Sequence, residues 1–158
     1  MPVAIVSVGK LKEPYQRDGC AEFIKRMQRF GGIEIIELPD SPEPSKPSDA
    51  LEQKLIEGEG QLILKRLKPD DFVVALCIEG KGLSSTDLAD HIALWQQMGR
   101  RIVFVIGGSL GLSKAVTARA DFKLSFSKMT FPHGLMRVIL LEQVYRAMKI
   151  IAGEKYHK

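Results

Sequence analysis

Two continuous apolar runs, Phe72–Ile78 and Ile102–Ile106, constrain the fold of this chain more than any other feature of its sequence. Neither run contains a charged or amide side chain, so neither shows the alternation of a strand with one face in water. Strands that are buried on both faces occur in parallel sheets covered by helices on both sides. The two runs therefore predict an α/β fold with a mostly parallel sheet.

The rest of the chain alternates between further short apolar runs and helical patterns. Additional strands are predicted at Val3–Val8, Ile33–Leu38 and Asp121–Phe126. Between the strands, apolar residues recur three and four positions apart, as they do on one face of a helix. A β-α repeat of 158 residues fits a single domain, 1–158, with helices flanking the sheet.

The segment between the second and third strands carries two local signals. The proline-rich stretch Pro39–Pro47 predicts an extended connector, because proline lacks an amide donor and has a fixed φ. Asp49, with a glutamate three residues later, resembles a capping arrangement and predicts a helix that runs towards Leu67. Glycines are poor helix formers, so Gly58 and Gly60 predict a kink or break in its middle.

Charge is distributed unevenly along the chain. Residues 1–79 carry a net charge of −3, whereas residues 80–158 carry +7. A basic C-terminal half is typical of a surface that binds a polyanion such as a nucleic acid. A solvated surface with a chance asymmetry is the alternative interpretation.

Cysteine, histidine and hydropathy patterns narrow the class of protein. Cys20 and Cys77 form no CxxC pair, and the three histidines are not clustered with them, so we expect no metal site. No apolar stretch is long enough to span a bilayer, and we expect no membrane association. Two unpaired thiols without an export signal predict a cytoplasmic protein.

Ligands of parallel sheets bind beyond the carboxyl ends of the strands, which here points to the loops after Ile78, Ile106 and Phe126. The loop after Ile106 reads GGSLG and permits close approach of a ligand to the backbone, because glycine has no Cβ. It matches neither GxGxxG nor GxxxxGK[ST], so a dinucleotide or nucleoside triphosphate site is disfavoured. A simple tight turn is the alternative.

The last predicted helix, Leu135–Ala152, has a polar stripe only about 120° wide. The stripe consists of Glu142, Gln143, Arg146 and Lys149. We expect protein to cover the remaining surface, and because one small domain has little with which to cover it, the helix predicts a homodimer. Arg137 lies on the opposite side, either at an exposed helix start or as an anion-binding group at a subunit junction.

Three C-terminal segments closely resemble the RlmH family: FVIGGSLGLS, LSFSKMTFPHGLMRVILLEQVYRAMKI and the terminal EKYHK. The likeness extends over essentially the whole chain, including AIVSVGK and FVVALCIEGKGLSS. RlmH proteins are minimal SPOUT-class methyltransferases that methylate N3 of a pseudouridine in 23S ribosomal RNA, with S-adenosylmethionine as the cofactor. The resemblance therefore implies an α/β trefoil knot, a homodimer, and the ribosome as the partner.

The resemblance also implies site residues. Matched to the family, the cofactor-binding positions are Leu76, Gly107, Gly108, Phe126, Ser127, Lys128, Met129, Thr130 and Phe131. The catalytic and RNA-contacting positions are His133, Arg146, Tyr156 and His157, in a composite site to which the partner's C-terminal end contributes. Lys158 stands where arginine is usual, and lysine does not provide the bidentate phosphate recognition of arginine.

Several alternatives stay open at the level of sequence. The acceptor of the N3 proton is His133, His157 or a water molecule. The target nucleotide is open, as is the choice between free RNA, a subunit and the assembled ribosome as the substrate. The main alternative function is a non-catalytic ribosome- or RNA-binding protein, and the second is a small-molecule α/β enzyme with a nucleotide cofactor.

Overall fold

A computed structural model describes residues 2–158 of the chain. The strands are β1 (Val3–Val8), β2 (Glu34–Leu38), β3 (Phe72–Gly82), β4 (Ile102–Ile106) and β5 (Phe122–Ser125). The helices are α1 (Pro14–Met27), α2 (Asp49–Arg66), α3 (Ser85–Gln97), α4 (Lys114–Arg119) and α5 (His133–Ile151), with a 3-10 turn at Gln28–Phe30. The five strands form one parallel sheet in the order β2-β1-β4-β3-β5. The predicted α/β fold with a parallel sheet is confirmed.

The sheet separates two hydrophobic layers. On one face, side chains such as Ile5 and Phe104 pack with helices α1, α3 and α5. On the other face, side chains such as Val6 and Val105 pack with α2 and α4. The central strands β1 and β4 are buried throughout, as the uninterrupted apolar run of β4 predicts for that strand.

Helix α5 lies between α1 and α3 on the larger layer. Its buried positions include Leu140, Leu141 and Val144, which this single chain covers completely. Two helices and the sheet cover this side of α5, whereas the apolar side chains of Leu135 and Ile139 are only half-buried. The homodimer that the sequence predicts stays a prediction.

Helix α2 is continuous through Gly58 and Gly60, so the predicted break is wrong, and the alternative of a kink stays a prediction. Gly60 faces α4, where a Cβ atom would overlap the Ser113 hydroxyl. The glycine thus permits close packing of two helices rather than interrupting one of them. The N-cap is Ser48, whose hydroxyl accepts a hydrogen bond from the Leu51 amide at 3.2 Å, and the predicted capping residue Asp49 is already helical.

Two element ends differ from the sequence prediction near the sheet's carboxyl edge. Strand β3 continues past Ile78 to Gly82, because after a register shift Lys81 and Gly82 pair with Leu124 and Ser125 of β5. Helix α5 begins at His133, two residues earlier than predicted, which fixes this histidine in the first turn.

Candidate active site

A pocket of about 780 Å³ lies at the carboxyl ends of β3, β4 and β5. The end of β3 and the loops after β4 and β5 form its walls, at the edge of the sheet where the sequence predicts a ligand site. Its lining includes the following positions predicted to bind a cofactor: Leu76, Gly107, Gly108, Phe126, Ser127, Met129, Thr130 and Phe131. The lining does not include Lys128, which the sequence places in the same group.

The glycine loop after β4 is a tight turn closed on itself. The Gly111 amide donates to the Gly108 carbonyl at 3.1 Å, and Gly111 has a left-handed φ of 89°. A Cβ atom at Gly107 would lie 2.9 Å from the carbonyl carbon and oxygen of Gly111. Gly107 is therefore required by the turn itself, whose backbone forms one wall of the pocket.

Gly108 has a different environment from the one expected of a position beneath a ligand. A Cβ atom there would lie 3.0 Å from Glu59 Oε1 and 3.4 Å from Val8 Cγ1. The missing side chain would thus point at the chain's own α2 and β1. A larger residue at 108 would displace the loop rather than fill the ligand's space directly.

The segment after β5 is held by Ser125 and Ser127. The Ser125 hydroxyl donates to the Ser127 carbonyl at 3.1 Å, and the Ser127 hydroxyl accepts from the Met129 amide at 2.9 Å. Met129 itself is 74% exposed at the mouth of the pocket. These local bonds shape a short loop that presents backbone groups and apolar side chains to the pocket.

The pocket has an unusual charge balance for a nucleotide site. Among the residues described, its lining contains one carboxylate, Glu79, and neither lysine nor arginine. Burial raises the pKa of the Cys77 thiol, which also lines the pocket. This thiol stays protonated at neutral pH and is a poor nucleophile. The lining suits a ligand with a positive charge better than a phosphorylated one.

His133 is the one predicted catalytic residue that lines this pocket. It is the first residue of α5, and its ring lies against the backbone of Gly9, where a Cβ atom would come within 2.7 Å of His133 Cε1. Its Nδ1 atom is buried and has no hydrogen-bond partner among the residues described. The imidazole is thus fixed by packing at the rim of the pocket.

Arg137 lies one turn further along α5, and its surroundings contradict both sequence interpretations of this residue. It is only 2% exposed, so it lies neither at an exposed helix start nor at an open anion site. Its guanidinium donates at 2.7 Å to Glu37 and at 2.7 Å to the carbonyl of Gly9. A buried charge needs such partners, and Arg137 here ties the start of α5 to β2 and to the loop after β1.

The other three predicted catalytic residues form a separate cluster at the far end of α5. The Arg146 guanidinium lies 4.7 Å from the centre of the Tyr156 ring, and its Nη1 is 3.2 Å from His157 Nδ1. The Tyr156 ring packs edge-on against Tyr145 at 5.1 Å. We name these residues the tail cluster: Arg146, Tyr156 and His157.

Within one chain the tail cluster and His133 are far apart. Thirteen residues of helix separate His133 from Arg146, which corresponds to about 20 Å along the axis of α5. The chain therefore brings the predicted cofactor residues and His133 together, but it does not bring the tail cluster to the same pocket.

Sequence reasoning missed an acidic side chain behind the glycine loop. Glu59 on α2 is 7% exposed and accepts a hydrogen bond from the Ser41 amide at 3.2 Å. The Ser109 hydroxyl of the glycine loop donates to Glu43 at 3.2 Å. The proline-rich connector thus borders the glycine loop. The only sequence signal for Glu59 was its position between two helical glycines.

Residues 2–158 contain neither a candidate metal site nor a helix that could cross a membrane. No group of three or more His, Cys, Asp or Glu side chains in this range is arranged to hold a metal ion. No helix in the same part of the chain is long and apolar enough to cross a membrane.

The chain is similar to known proteins over its whole length. A sequence model of the family described as "Predicted SPOUT methyltransferase" matches residues 1–157. Proteins named "Ribosomal RNA large subunit methyltransferase H" from Bifidobacterium animalis and Carboxydothermus hydrogenoformans are 55% and 50% identical to it, each over 100% of both chains. The tRNA (m1G37) methyltransferase from Aquifex aeolicus has a TM-score of 0.53 at 15% identity, over 92% of this chain and 70% of that one. At that identity the likeness concerns the fold alone.

Proposed function

Because the chain belongs to the SPOUT methyltransferases, in the family named ribosomal RNA large subunit methyltransferase H, we propose that it methylates ribosomal RNA. The specific reaction is transfer of a methyl group from S-adenosylmethionine to N3 of a pseudouridine in 23S ribosomal RNA. The substrate is the assembled ribosome, which places the activity in the cytoplasm. The trefoil knot of the family is part of the same proposal.

The observation that carries this function is the pocket at the sheet's carboxyl edge, whose lining among residues 2–158 has a glycine turn, one carboxylate and neither lysine nor arginine. S-Adenosylmethionine has a sulfonium and an ammonium group against one carboxylate, so it is a net cation. Its adenine suits apolar walls and backbone groups such as those of Leu76 and the glycine loop. A dinucleotide or nucleoside triphosphate would find no lysine or arginine among the described lining residues to pair with its phosphates.

When bound in this pocket, S-adenosylmethionine supplies a methyl group on a sulfonium centre, which is transferred in line to a nucleophile. The protein's task is mainly to orient the base against that methyl group, and a rigid glycine turn and a packed His133 serve this purpose. The neutral thiol of Cys77 does not compete as a nucleophile.

The tail cluster supplies RNA contacts and proton handling in this proposal. Arg146 offers a fixed guanidinium for a phosphate, and Tyr156 offers an aromatic face and a hydroxyl. Burial, followed by the nearby Glu142 carboxylate, raises the pKa of Tyr156, so the phenol remains a hydrogen-bond donor rather than a base. Acceptance of the N3 proton therefore falls to His157, His133 or a water molecule.

We propose a homodimer because the chain's own tail cluster lies about 20 Å along α5 from the pocket-lining His133. If a second copy contributes its tail cluster to this pocket, the two groups of residues can meet while α5 stays folded. The outer face of α5 retains half-buried apolar side chains, Leu135 and Ile139, which suit a symmetric contact.

Methyl transfer from labelled S-adenosylmethionine tests this function, with ribosomes, separated subunits and free RNA compared side by side. We expect label in 23S ribosomal RNA, greatest with the assembled ribosome, and mapped to N3 of a pseudouridine. Binding to ribosomes without transfer would support the non-catalytic alternative. Turnover of the cofactor independent of RNA would instead indicate a small-molecule enzyme.

A further inference from the structure

Glu142 is an acidic residue at the centre of the tail cluster, and the function proposed above assigns it no role. Its Oε1 atom accepts hydrogen bonds from the Arg146 guanidinium and from the Tyr156 hydroxyl, the latter at 3.2 Å. One carboxylate oxygen thus joins a residue of α5 to a residue beyond the end of that helix.

The same carboxylate is anchored on its other side. Its Oε2 atom accepts from Gln143 Nε2 at 2.9 Å, and Gln143 Oε1 in turn accepts from the Ser85 hydroxyl at 2.7 Å. Ser85 is the first residue of α3, so a continuous chain of hydrogen bonds links the tail cluster to another helix. The orientation of Glu142 is therefore fixed by groups that do not belong to the tail.

A carboxylate in this position acts against RNA binding. It offsets the positive charge of Arg146 and would lie near the phosphates that this arginine contacts. Arg146 Nε is also buried without a partner among the residues described, so the arginine depends on its terminal nitrogens for hydrogen bonds. The carboxylate weakens attraction to a polyanion while fixing the positions of the groups that contact it.

We propose that Glu142 is a positioning residue for methyl transfer, which holds Arg146 and Tyr156 so that the following His157 is presented in one orientation. The ring contacts of Tyr156 with Arg146 and Tyr145 then complete the placement. Because the phenol of Tyr156 stays protonated, it can donate continuously to this acceptor. The inference rests on the proposed function, since it concerns the residues assigned there to RNA contact.

The test is a double-mutant cycle between Glu142→Ala and deletion of residues 155–158, with single-turnover rates measured at saturating cofactor and ribosomes. We expect Glu142→Ala to slow the intact enzyme by at least about tenfold, because two charge-assisted hydrogen bonds are lost. In the truncated enzyme the same substitution should have little further effect, because the group that it positions is absent. Glu142→Gln keeps an acceptor oxygen and should recover part of the rate.

Ribosome affinity provides a second readout, because a general loss of structure at the tail cluster would lower it. Removing a negative charge beside Arg146 should leave binding unchanged or tighten it, so the rate falls while affinity does not. Glu57→Ala is the matched control, because the Glu57 carboxylate accepts from Gln53 four residues earlier, at 3.2 Å, on the opposite face of the sheet, and its loss should leave the rate unchanged.

The outcomes separate this inference from the proposed function. If truncation abolishes transfer but Glu142→Ala proceeds at the wild-type rate, the positioning role is wrong and the function stands. If Glu142→Ala slows the intact and truncated enzymes equally, or lowers cofactor affinity, Glu142 acts on the general structure and the inference fails. If truncation itself has no effect, the assignment of the tail in the proposed function fails first.

Discussion

Gly107→Ala tests whether the glycine turn requires a residue without a side chain at this position, and whether the cofactor binds against that turn. The substitution adds one methyl group, 2.9 Å from the carbonyl carbon and oxygen of Gly111 and from Leu112 Cδ2. Leu112 can rotate away, but the Gly111 carbonyl moves only if the turn opens. Gly107 does not have a positive φ, so the effect comes from crowding and not from backbone strain.

The size of the effect follows from the energy of overpacking. Forcing a methyl group into a filled site costs about 1–3 kcal/mol, and 1.4 kcal/mol corresponds to tenfold in an equilibrium constant. If the turn relaxes by opening towards the pocket, the dissociation constant of S-adenosylmethionine should rise by about 5- to 150-fold. Thermal unfolding should then change only slightly, because a turn that has opened no longer carries the overlap in the free protein.

Calorimetric titration with S-adenosylmethionine measures this directly. Gly82→Ala is the matched control, because it adds the same methyl group at the end of β3, with no atom within 4 Å of the new Cβ. It should bind the cofactor as the wild type does. Wild-type affinity in a folded Gly107→Ala protein would refute both the crowding argument and the position of the cofactor.

Three further predictions concern packing, charge and the tail. Gly60→Ala, whose Cβ would overlap Ser113, should lower the free energy of unfolding by about 1–3 kcal/mol, whereas the unobstructed Gly58→Ala should raise it by up to about 1 kcal/mol in urea titrations. Burial favours a raised pKa for Asp71, but hydrogen bonds from Arg101 and the Lys68 amide outweigh it and lower the pKa. Asp71→Asn should therefore lower the free energy of unfolding by about 3 kcal/mol at pH 7. Because the native pKa of Asp71 is depressed, this difference between wild type and variant should shrink as the pH falls below about 4 and the wild-type carboxyl protonates. Unfolding measured against pH checks this. Deletion of residues 155–158 should reduce single-turnover methylation by at least about 100-fold while cofactor affinity stays near normal; an unchanged rate would shift the catalytic roles to His133 and Arg146.

The sequence predicts the strands and the location of the pocket well, because uninterrupted apolar runs and loops at strand ends are local signals. It fails where the deciding contact comes from a distant part of the chain. Gly60 reads as a helix breaker until α4 is packed against it, and Arg137 reads as exposed or anion-binding until Glu37 and Gly9 surround it. Glu59 shows no motif at all, since its role behind the glycine loop depends on the fold.

The site residues were predicted by resemblance rather than by periodicity. The contacts that Gly108 and the tail make differ from those that their positions in the sequence suggest. Gly108 matches a cofactor position, yet its missing Cβ would point at Glu59. The tail would be expected to fray as most chain ends do, yet Tyr156 packs on Tyr145 and bonds to Glu142. Such contacts cannot be read from spacing, because they join residues on different elements.

The measurement that tests the central claim most directly is activity recovered by mixing two inactive variants. Gly107→Val lacks the pocket, and deletion of residues 155–158 lacks the tail cluster, so neither homodimer should methylate ribosomes. After subunit exchange, half of the dimers combine an intact pocket with an intact tail at one of their two sites. We predict recovery of about one quarter of wild-type activity. Heterodimers that are detected by native mass spectrometry but remain inactive would contradict a composite site built from two copies of this chain.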